Sequence, residues 1–391
     1  MKLLIITSRF PYPLDKGDKL RAYYQIKELS KHNEIFLIST TEYDIKEQDI
    51  NKLKIFCNEV IVYKLQKWKI AINLCLGIFS SNPFQIKYFY QRKIHNKIKK
   101  DISRIAPDHI FCQLIRSVLY VKDEHFYNKT LDYMDCLSEG IKRRIPFSKI
   151  LKPILKIEYK RLKVFENLAF EYFNKHIIIS ENDRSYIYHE KRNDIKIVTN
   201  GIDSNFFKAT ECKKKYDIVF VGNLSYPPNV IASLYIINDL LPELQKTFPN
   251  ISILISGANP HKSLQKLNKK PITILDWVDD IRKSYLSGKI FLAPMLNGTG
   301  LQNKLLEAMS LELPCITSEL ANKSLQAKNT KNILIARDKS EYIAHISHLL
   351  LNKEKAEVIG KNARKFILDN YNWYKSGDDL QGILSLNKDF D

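Results

Sequence analysis

The stretch that decides the fold is residues 289–318, KIFLAPMLNGTGLQNKLLEAMSLELPCITS. An apolar strand is predicted to lead into a loop that holds Gly298 and Gly300, and a helix is predicted over 301–311. A strand that runs through a glycine loop into a helix presents backbone N–H groups and the positive end of the helix dipole to an anion. A second apolar strand follows at 315–318. The stretch therefore predicts a βαβ unit with an anion-binding loop.

Two charged side chains of this predicted helix lie near the loop. Lys304 projects from the first turn, and Glu307 follows three residues later on the same face. A cation and a carboxylate beside a phosphate cradle suit a nucleotide, because the carboxylate can accept hydrogen bonds from both ribose hydroxyls. The alternative from spacing alone is a capped surface helix with an exposed Lys–Glu pair.

Short apolar strands alternate with amphipathic segments along the whole chain, which favours parallel sheets with right-handed helical crossovers. The pattern is interrupted near 200–215, so we predict two doubly wound, Rossmann-like α/β domains. Ligands of such domains bind beyond the carboxyl ends of the strands. The predicted elements are helices over 19–31 and 229–247, and strands over 3–7, 35–39, 60–63, 109–112, 175–180, 217–222, 251–257 and 290–294.

Positive charge is concentrated in one part of the chain. The sequence holds 62 Lys and Arg against 43 Asp and Glu, a net charge of +19, and residues 60–163 alone hold 22 against 8. Such a field attracts a phospholipid surface, a phosphorylated ligand or nucleic acid. No nucleic-acid-binding motif accompanies the charge, so nucleic acid is not among the predicted partners.

The basic segment 64–105 combines charge with apolar periodicity. It holds ten Lys and Arg and a single acid, and its isoleucines recur near helical spacing. An apolar face bordered by lysines predicts an interfacial helix on an anionic membrane surface. The alternative is a helix whose apolar face packs into the core and whose basic face is solvated. The isoleucines in question are Ile86, Ile94, Ile98, Ile102 and Ile105.

Cysteine and histidine spacing excludes other classes of protein. The six cysteines show no C-x-x-C spacing, so we expect buried thiols in a reducing compartment and no disulfide framework. The nine histidines show no metal-ligand spacing, so no metal site is predicted. Neither a signal peptide nor an apolar run of roughly 20 residues is evident. We therefore expect a cytoplasmic protein, peripheral at the inner face of the cytoplasmic membrane.

The glycine loop and its helix resemble a known family. GTGLQNKLLEAM, followed by LPCITS, resembles the donor-site signature of the retaining GT-B glycosyltransferases of family 4, also called group 1. Similar stretches are LDWVDDIRKSYLSGKIFLAP at 275–294, FVGNLSYPPN at 220–229, KHIIISENDRSYI at 175–187 and IVTNGIDSNFF at 197–207. The opening, ITSRFPYPLDKGDKLR at 6–21, resembles a subgroup that makes bacterial surface polysaccharide, including lipopolysaccharide.

This resemblance implies a GT-B fold, in which two Rossmann-like doubly wound domains face each other across a cleft. Residues 1–200 would bind the acceptor, 201–370 the nucleotide sugar, and 371–391 would cross back to the first domain. The implied reaction moves a sugar from a UDP- or GDP-sugar to a hydroxyl of a lipid-linked glycan, with retention and without a metal or other cofactor. The leaving diphosphate helps to take the acceptor proton, and the protein stabilises its charge.

The resemblance also assigns roles residue by residue. Catalytic roles fall on Lys304, Glu307 and Thr299. Contacts to the donor fall on Gly17, Gly222, Asn223, Val278, Asp279, Gly298, Gly300, Leu301 and Gln302. For Gly17 the alternative is a loop that merely precedes a capped helix. Asp132, Asp135 and Ser138 follow a predicted strand, where either a place at the interdomain cleft or structural capping is expected.

The sequence departs from the family pattern at two of these positions. Thr299 stands where many members carry the first of two glutamates, and Asn223 follows Gly222 where an Arg or Lys is usual. Two further functions therefore stay open. One is a nucleotide-sugar epimerase, which shares the two-domain fold. The other is a non-catalytic GT-B partner subunit of an active transferase.

Overall fold

The computed structural model describes residues 1–148, 150–203, 206–208, 212–297 and 301–385. The chain divides into two compact units. The first comprises Met1–Asn200 and Trp373–Asp391, and the second comprises Gly201–Asn372.

The described part of the first unit is built on a sheet of seven parallel strands in the order β3-β2-β1-β4-β5-β6-β7. The strands are β1 Lys2–Thr7, β2 Glu34–Thr41, β3 Glu59–Lys64, β4 His109–Gln113, β5 Asn128–Asp132, β6 Lys175–Ile178 and β7 Lys196–Ile197. The helices before the second unit are α1 Gly17–Leu29, α2 Glu47–Lys54, α3 Lys67–Gly77, α4 Phe84–Phe89, α5 Arg92–Ile105, α6 Leu137–Arg144, α7 Lys152–Phe170 and α8 Glu181–Tyr186.

The central strand β1 shows why this sheet is covered on both faces. Its apolar run is buried throughout, as expected for a strand of a parallel sheet. Leu4 and Ile6 enter one hydrophobic cluster, and Leu3 and Ile5 enter the other. Because successive side chains of a strand point to opposite faces, one short apolar run supplies two separate cores.

The described part of the second unit forms a sheet of six parallel strands in the order β10-β9-β8-β11-β12-β13. The strands are β8 Tyr216–Val221, β9 Ile253–Ser256, β10 Ile272–Leu275, β11 Gly288–Ala293, β12 Cys315–Ser318 and β13 Leu334–Ala336. The helices are α9 Pro227–Tyr235, α10 Leu241–Thr247, α11 Lys262–Gln265, α12 Ile281–Leu286, α13 Asn303–Ser310, α14 Glu319–Leu325, α15 Lys339–Leu351 and α16 Lys353–Asn370.

The last helix of the chain, α17 Trp373–Ser385, packs on the first unit. Trp373 stacks on Tyr24 of α1 with ring centroids 4.8 Å apart. A Cβ added at Gly377 would lie 2.4 Å from the Cβ of Glu28, so the two helices approach too closely for a larger residue. Lys175 donates to the carbonyls of Ile383 and Leu384 at 2.9 and 3.0 Å.

Two doubly wound α/β domains are confirmed, but several predicted elements differ. The helix predicted over 229–247 contains a π-helical segment, Ile236–Leu240, between α9 and α10. Pro242 follows at the start of α10, and a proline cannot donate the regular helical hydrogen bond and crowds the preceding turn. The helix expected from residue 301 begins at Asn303. The short strands β7, β10 and β13 were not predicted.

The interfacial-helix interpretation of the isoleucines is wrong, and the alternative holds. The five isoleucines do not lie on one helix. Ile86 lies on α4 and the other four lie on α5, and the chain is extended at Tyr90 and Gln91 between the two helices. All five isoleucines are buried, and they pack in the same cluster as Leu4 and Ile6 of the central strand. An apolar face that lies in the core cannot insert into a bilayer.

The cysteines follow the expectation only in part. All six are free. Cys57, Cys112, Cys136 and Cys315 are buried, whereas Cys75 and Cys212 are exposed, so uniform burial was a wrong prediction. Among the described residues, no helix is long and apolar enough to cross a membrane.

Candidate functional site

The candidate site of the second unit lies where the strand order reverses. β8 has β9 on one side and β11 on the other, so the connections that follow β8 and β11 leave the sheet in opposite directions. Doubly wound folds bind ligands outside the carboxyl ends of the strands at this switch point. Gly222 and Asn223 follow β8 there, and residues 294–302 follow β11.

Glycine at position 222 lets the side chains of Asn229 and Lys304 approach the backbone closely. A Cβ at Gly222 would lie 2.9 Å from the Nδ2 of Asn229 and 3.2 Å from the Cε of Lys304. Gly257, which follows β9, has φ +152°, and its Cβ would lie 1.7 Å from the carbonyl oxygen of Gly222. The backbone after β8 therefore passes directly beside the Lys304 side chain, and a larger residue at position 222 would displace Asn229 or Lys304.

Asn223 is held in a turn after Gly222. Its carbonyl accepts a hydrogen bond from Asn229 Nδ2 at 2.8 Å. Its side-chain oxygen accepts from the backbone N–H and the hydroxyl of Ser225, at 3.0 and 2.7 Å. The side chain therefore shapes the turn that leads from β8 into α9.

Lys304 lies in the first turn of α13 and is partly buried. Its ammonium donates to the Oε1 of Gln302 at 2.8 Å and lies 6.0 Å from the ring centre of Phe220 on β8. Burial lowers the pKa of Lys304 to about 8, although the nearby Glu307 carboxylate acts to raise it. An anion bound here would stabilise the protonated ammonium.

Glu307 lies one turn further along α13. Its Oε2 accepts a hydrogen bond from the hydroxyl of Tyr285 at 2.6 Å. Burial raises the pKa of Glu307 to about 7, although Tyr285 and Lys304 act in the opposite direction. Tyr285 belongs to α12 and is fully buried, so α12 fixes one carboxylate oxygen of Glu307.

The remaining predicted donor contacts are distributed along the same edge. Val278 and Asp279 lie in the turn between β10 and α12; Val278 is partly buried and Asp279 is exposed. Leu301 is buried, and Gln302 occupies the position before the first residue of α13. Gly298, Thr299 and Gly300 lie outside the described residues.

Three residues at this edge were missed by the sequence analysis. In the sequence Tyr285 is an ordinary helix residue. Only its hydrogen bond to Glu307 indicates that it belongs to the site. Asn229 and Asn297 are buried, and the Oδ1 atom of each has no hydrogen-bond partner among the described residues. Asn297 lies four residues after the end of β11, in the loop that leads to α13, and that position could have identified it. Among the described residues, no three His, Cys, Asp or Glu side chains come together in a group that could hold a metal ion.

The first unit has its own switch point, between β1 and β4. Gly17 is the first residue of α1, and its predicted contact with the donor stays a prediction. Next to it, Asp18 accepts a hydrogen bond from Arg9 at 2.7 Å and lies 3.8 Å from Arg116. Burial alone would raise the pKa of Asp18, but Arg9 and Arg116 hold it below its usual range.

The three residues at and after the end of β5 that the sequence singled out have different surroundings. Asp132 is fully buried and accepts two hydrogen bonds from Arg21, at 2.7 and 3.2 Å. The backbone N–H of Ser138 donates to Glu166 at 3.0 Å. Asp132 and Ser138 therefore make structural contacts within the first unit. Burial raises the pKa of Asp135 to about 7, and its Oδ1 has no partner among the residues described.

The sequence of the second unit matches a known family. Residues 215–352 match the model of the family described as glycosyl transferases group 1. An uncharacterized 44.6 kDa protein in the cps region of Klebsiella pneumoniae is 25% identical over 392 residues, covering 95% of this chain and 96% of that protein. The UDP-Gal:alpha-D-GlcNAc-diphosphoundecaprenol alpha-1,3-galactosyltransferase of Escherichia coli is 24% identical over 258 residues, covering 61% of this chain and 66% of that protein.

The fold has close counterparts among solved structures. HepE of Anabaena in complex with UDP has a TM-score of 0.72 to this chain at 14% sequence identity, and the match covers 98% of this chain and 100% of HepE. At this identity the likeness concerns the fold, and it confirms the predicted GT-B architecture of two Rossmann-like domains. The fold and the family match together support a GT-B glycosyltransferase of group 1.

Proposed function

We propose that the protein transfers a sugar from a nucleotide-sugar donor to a hydroxyl of a lipid-linked glycan, with retention, in the synthesis of a cell-surface polysaccharide. The observation that carries the proposal is the pair Lys304 and Glu307 beside Gly222. A partly buried ammonium and a partly buried carboxyl group, one helical turn apart, lie at a sheet switch point where nucleotides bind in doubly wound folds.

Lys304 is assigned to the diphosphate of the donor. Its stem packs against the backbone of Gly222, and Gln302 orients its ammonium. When the bond between sugar and diphosphate breaks, negative charge accumulates on the diphosphate. A preoriented ammonium in a partly buried setting stabilises that charge more than an exposed lysine does. The backbone N–H groups of 298–302 are assigned to the same phosphates, and Thr299 lies among them.

Glu307 is assigned to the ribose. Tyr285 already engages Oε2, so Oε1 is the oxygen for a ribose hydroxyl, and the helix holds it one turn from the lysine. Val278 and Asp279 precede α12, the helix that carries Tyr285, and are assigned to the base. The turn formed by Gly222 and Asn223 completes the donor contacts of this unit.

The acceptor assignment is supported by the relatives. The Escherichia coli relative is named for transfer of galactose to a sugar linked to diphosphoundecaprenol, and the Klebsiella relative lies in a cps region. HepE was crystallised with UDP, which makes UDP the first nucleotide to test. Transfer is proposed to need no metal, with Lys304 in the role that a cation fills in other transferases.

The two other functions from the sequence make different predictions. An epimerase converts the donor sugar in the absence of an acceptor, so analysis of the sugar after incubation with donor alone separates it from a transferase. A non-catalytic subunit is favoured only by Thr299, which replaces a motif carboxylate. Donor hydrolysis or transfer by the isolated protein would exclude that function.

A nucleotide panel tests the donor site directly. UDP, GDP, ADP and CMP, alone and as their sugars, are compared by thermal shift. A ligand at 100 times its Kd should stabilise the protein by about 2.7 kcal/mol. Glu307→Ala should weaken binding of the preferred nucleotide by roughly 1.5–3 kcal/mol, because a charged acceptor is lost.

A matched control for Glu307→Ala is Glu312→Gln, a variant of a more exposed glutamate five residues further on, which lies 3.7 Å from Arg364. It should bind the nucleotide as the wild type does. If Glu307→Ala is folded and binds with an unchanged Kd, the donor-site assignment is wrong.

A further inference from the structure

Helix α3 leaves an apolar face exposed. Trp68, Ala71, Ile72, Cys75 and Leu76 are all exposed, and they recur at the spacing of one helical face. The face continues into Phe79, whose side chain is 91% exposed. We call these six residues the α3 stripe.

The inward side of α3 carries a polar residue. Asn73 donates hydrogen bonds to the carbonyls of Lys87 and Tyr90, at 3.2 and 2.7 Å. These bonds fix the rotation of the helix, and Ile70 and Gly77 are buried on the same side. The helix therefore cannot turn its stripe toward the core without leaving Asn73 and two carbonyls without these partners.

Helix α7 carries a second exposed apolar row, which we call the α7 stripe. Ile154, Ile157, Val164 and Leu168 are exposed and spaced three, four or seven residues apart along one face. On the same face, Arg161 donates to the carbonyls of Gly77 and Ile78 at 2.7 and 2.9 Å. The C-terminal end of α3 therefore lies directly against the middle of the α7 stripe.

The charges around both stripes are mostly positive. No Asp or Glu occurs in 60–100 or in 140–157, Glu158 and Glu166 of α7 are buried, and Glu171, one turn after Leu168, is exposed and pairs with His189 at 2.8 Å. Exposed Lys67, Lys152, Lys156 and Lys160 are next to or between the apolar positions. A soluble monomer rarely exposes so long an apolar surface, and a border in which lysines predominate matches a surface of negative charge.

We propose that the α3 and α7 stripes dock the first unit on an anionic lipid surface. The apolar side chains enter the boundary between headgroups and acyl chains, Trp68 lies at the interface, and the lysines contact lipid phosphates. A second copy of the chain fits the charges less well, because a symmetric contact would bring the lysine borders of both copies together. The proposal goes beyond the proposed function, since it concerns where the protein is held and not what it transfers.

Vesicle flotation of the full chain tests the surface. The probes are vesicles of phosphatidylcholine alone and of equal parts phosphatidylcholine and phosphatidylglycerol. The wild type should float with the mixed vesicles and less with the neutral ones, and added salt should weaken binding because it screens the lysines. Phe79→Ser combined with Ile72→Ser should lower the partition coefficient at least about tenfold.

Three arms control this result. Phe126→Ser removes a fully exposed phenylalanine outside both stripes and should float as the wild type does. Trp68→Phe should abolish the vesicle-dependent blue shift of tryptophan fluorescence that the wild type shows, because the other two tryptophans of the chain lie outside the stripes. Nucleotide binding, measured in parallel by thermal shift, should be equal in all these variants, so a failure of the donor site is distinguished from a failure of docking.

Several outcomes would overturn the docking surface. One is equal flotation of the wild type and of the Phe79→Ser, Ile72→Ser variant. Another is loss of flotation only on replacing Lys93, Lys97, Lys99 and Lys100 of α5 with Glu. A third is a wild type that does not float but is a dimer by light scattering and becomes a monomer in the stripe variant, which would identify the surface as a contact between copies.

Discussion

Nucleotide binding should depend on pH near neutrality because of Glu307. Burial raises the pKa of this carboxyl group to about 7, and the ionised form is the better acceptor for ribose hydroxyls. A group with this pKa is about one-eleventh ionised at pH 6 and about ten-elevenths ionised at pH 8. Because an apparent Kd is the intrinsic Kd divided by the competent fraction, the ionisation of Glu307 should by itself raise affinity about tenfold between these pH values, and partial loss of the Lys304 proton, with a pKa of about 8, opposes part of this rise.

Isothermal titration of the preferred nucleotide into the wild type and Glu307→Gln measures this effect. Glutamine does not ionise, so the variant should bind more weakly and should keep only the pH dependence that the nucleotide phosphates and Lys304 contribute. That contribution is common to both proteins, so the ratio of their Kd values isolates Glu307. Glu312→Gln should retain the pH dependence of the wild type. An equal pH dependence in the wild type and Glu307→Gln would refute the reasoning.

The same pKa shift predicts a stability change of defined sign. The folded protein holds the proton of Glu307 more tightly than the unfolded chain does, so this group lowers the free energy of unfolding as pH rises from 4.5 to about 7. At 1.36 kcal/mol per pKa unit the loss is at most about 3 kcal/mol. Glu307→Gln should therefore be more stable than the wild type at pH 8 and nearly equal at pH 4.5. The stability difference is measured by calorimetry, on the unfolding transition whose midpoint rises when nucleotide is added. A Glu307→Gln variant that is less stable than the wild type at pH 8 would contradict the prediction.

Three further substitutions follow from the geometry. Tyr285→Phe removes a hydrogen bond that lowers the pKa of Glu307, so the midpoint of the pH dependence of nucleotide binding should move to a higher pH than in the wild type. Isothermal titration at several pH values measures the midpoint, and an unchanged midpoint would count against the contact. Gly222→Ala places a Cβ 3.2 Å from the Cε of Lys304 and should weaken nucleotide binding about tenfold or more in a folded protein, measured by the same titration. Asp132→Asn breaks the fully buried ion pair with Arg21 and should lower the free energy of unfolding of the first unit by about 3–5 kcal/mol, measured by calorimetry. The nucleotide-dependent shift in the unfolding of the second unit should be unchanged.

Two helices of the first unit show where periodicity reaches its limit. The isoleucines of α5 and the α3 stripe both recur at helical spacing, and spacing alone assigns each an apolar face. The structure buries the isoleucines and exposes the stripe, the reverse of what the sequence analysis expected for the isoleucines. Periodicity reports that a helix has two unlike faces, whereas the material that covers each face comes from distant segments. Asn73, whose partners lie 14 and 17 residues away, decides the rotation of α3.

The candidate site divides in the same way. Gly222, Lys304 and Glu307 could be selected from their own segments, because a strand, a glycine turn and a helix start are local features. Tyr285 could not be, since nothing in its segment shows that its hydroxyl meets a carboxylate 22 residues away. Asn229 and Asn297 are marked only by burial without a partner, which is a property of the packed structure.

The sequence alone determined the α/β class, the two doubly wound sheets and the helix that carries Lys304 and Glu307. These follow from short-range causes: apolar runs of four to six residues, the turns between them and the start of a helix. Only the tertiary structure decided that Glu307 titrates near neutrality, that the α5 isoleucines form core, and that α3 and α7 leave an apolar surface exposed. Each of these depends on which distant residues exclude water from a group, because solvation and the effective dielectric are set by the packed surroundings and not by neighbours along the chain.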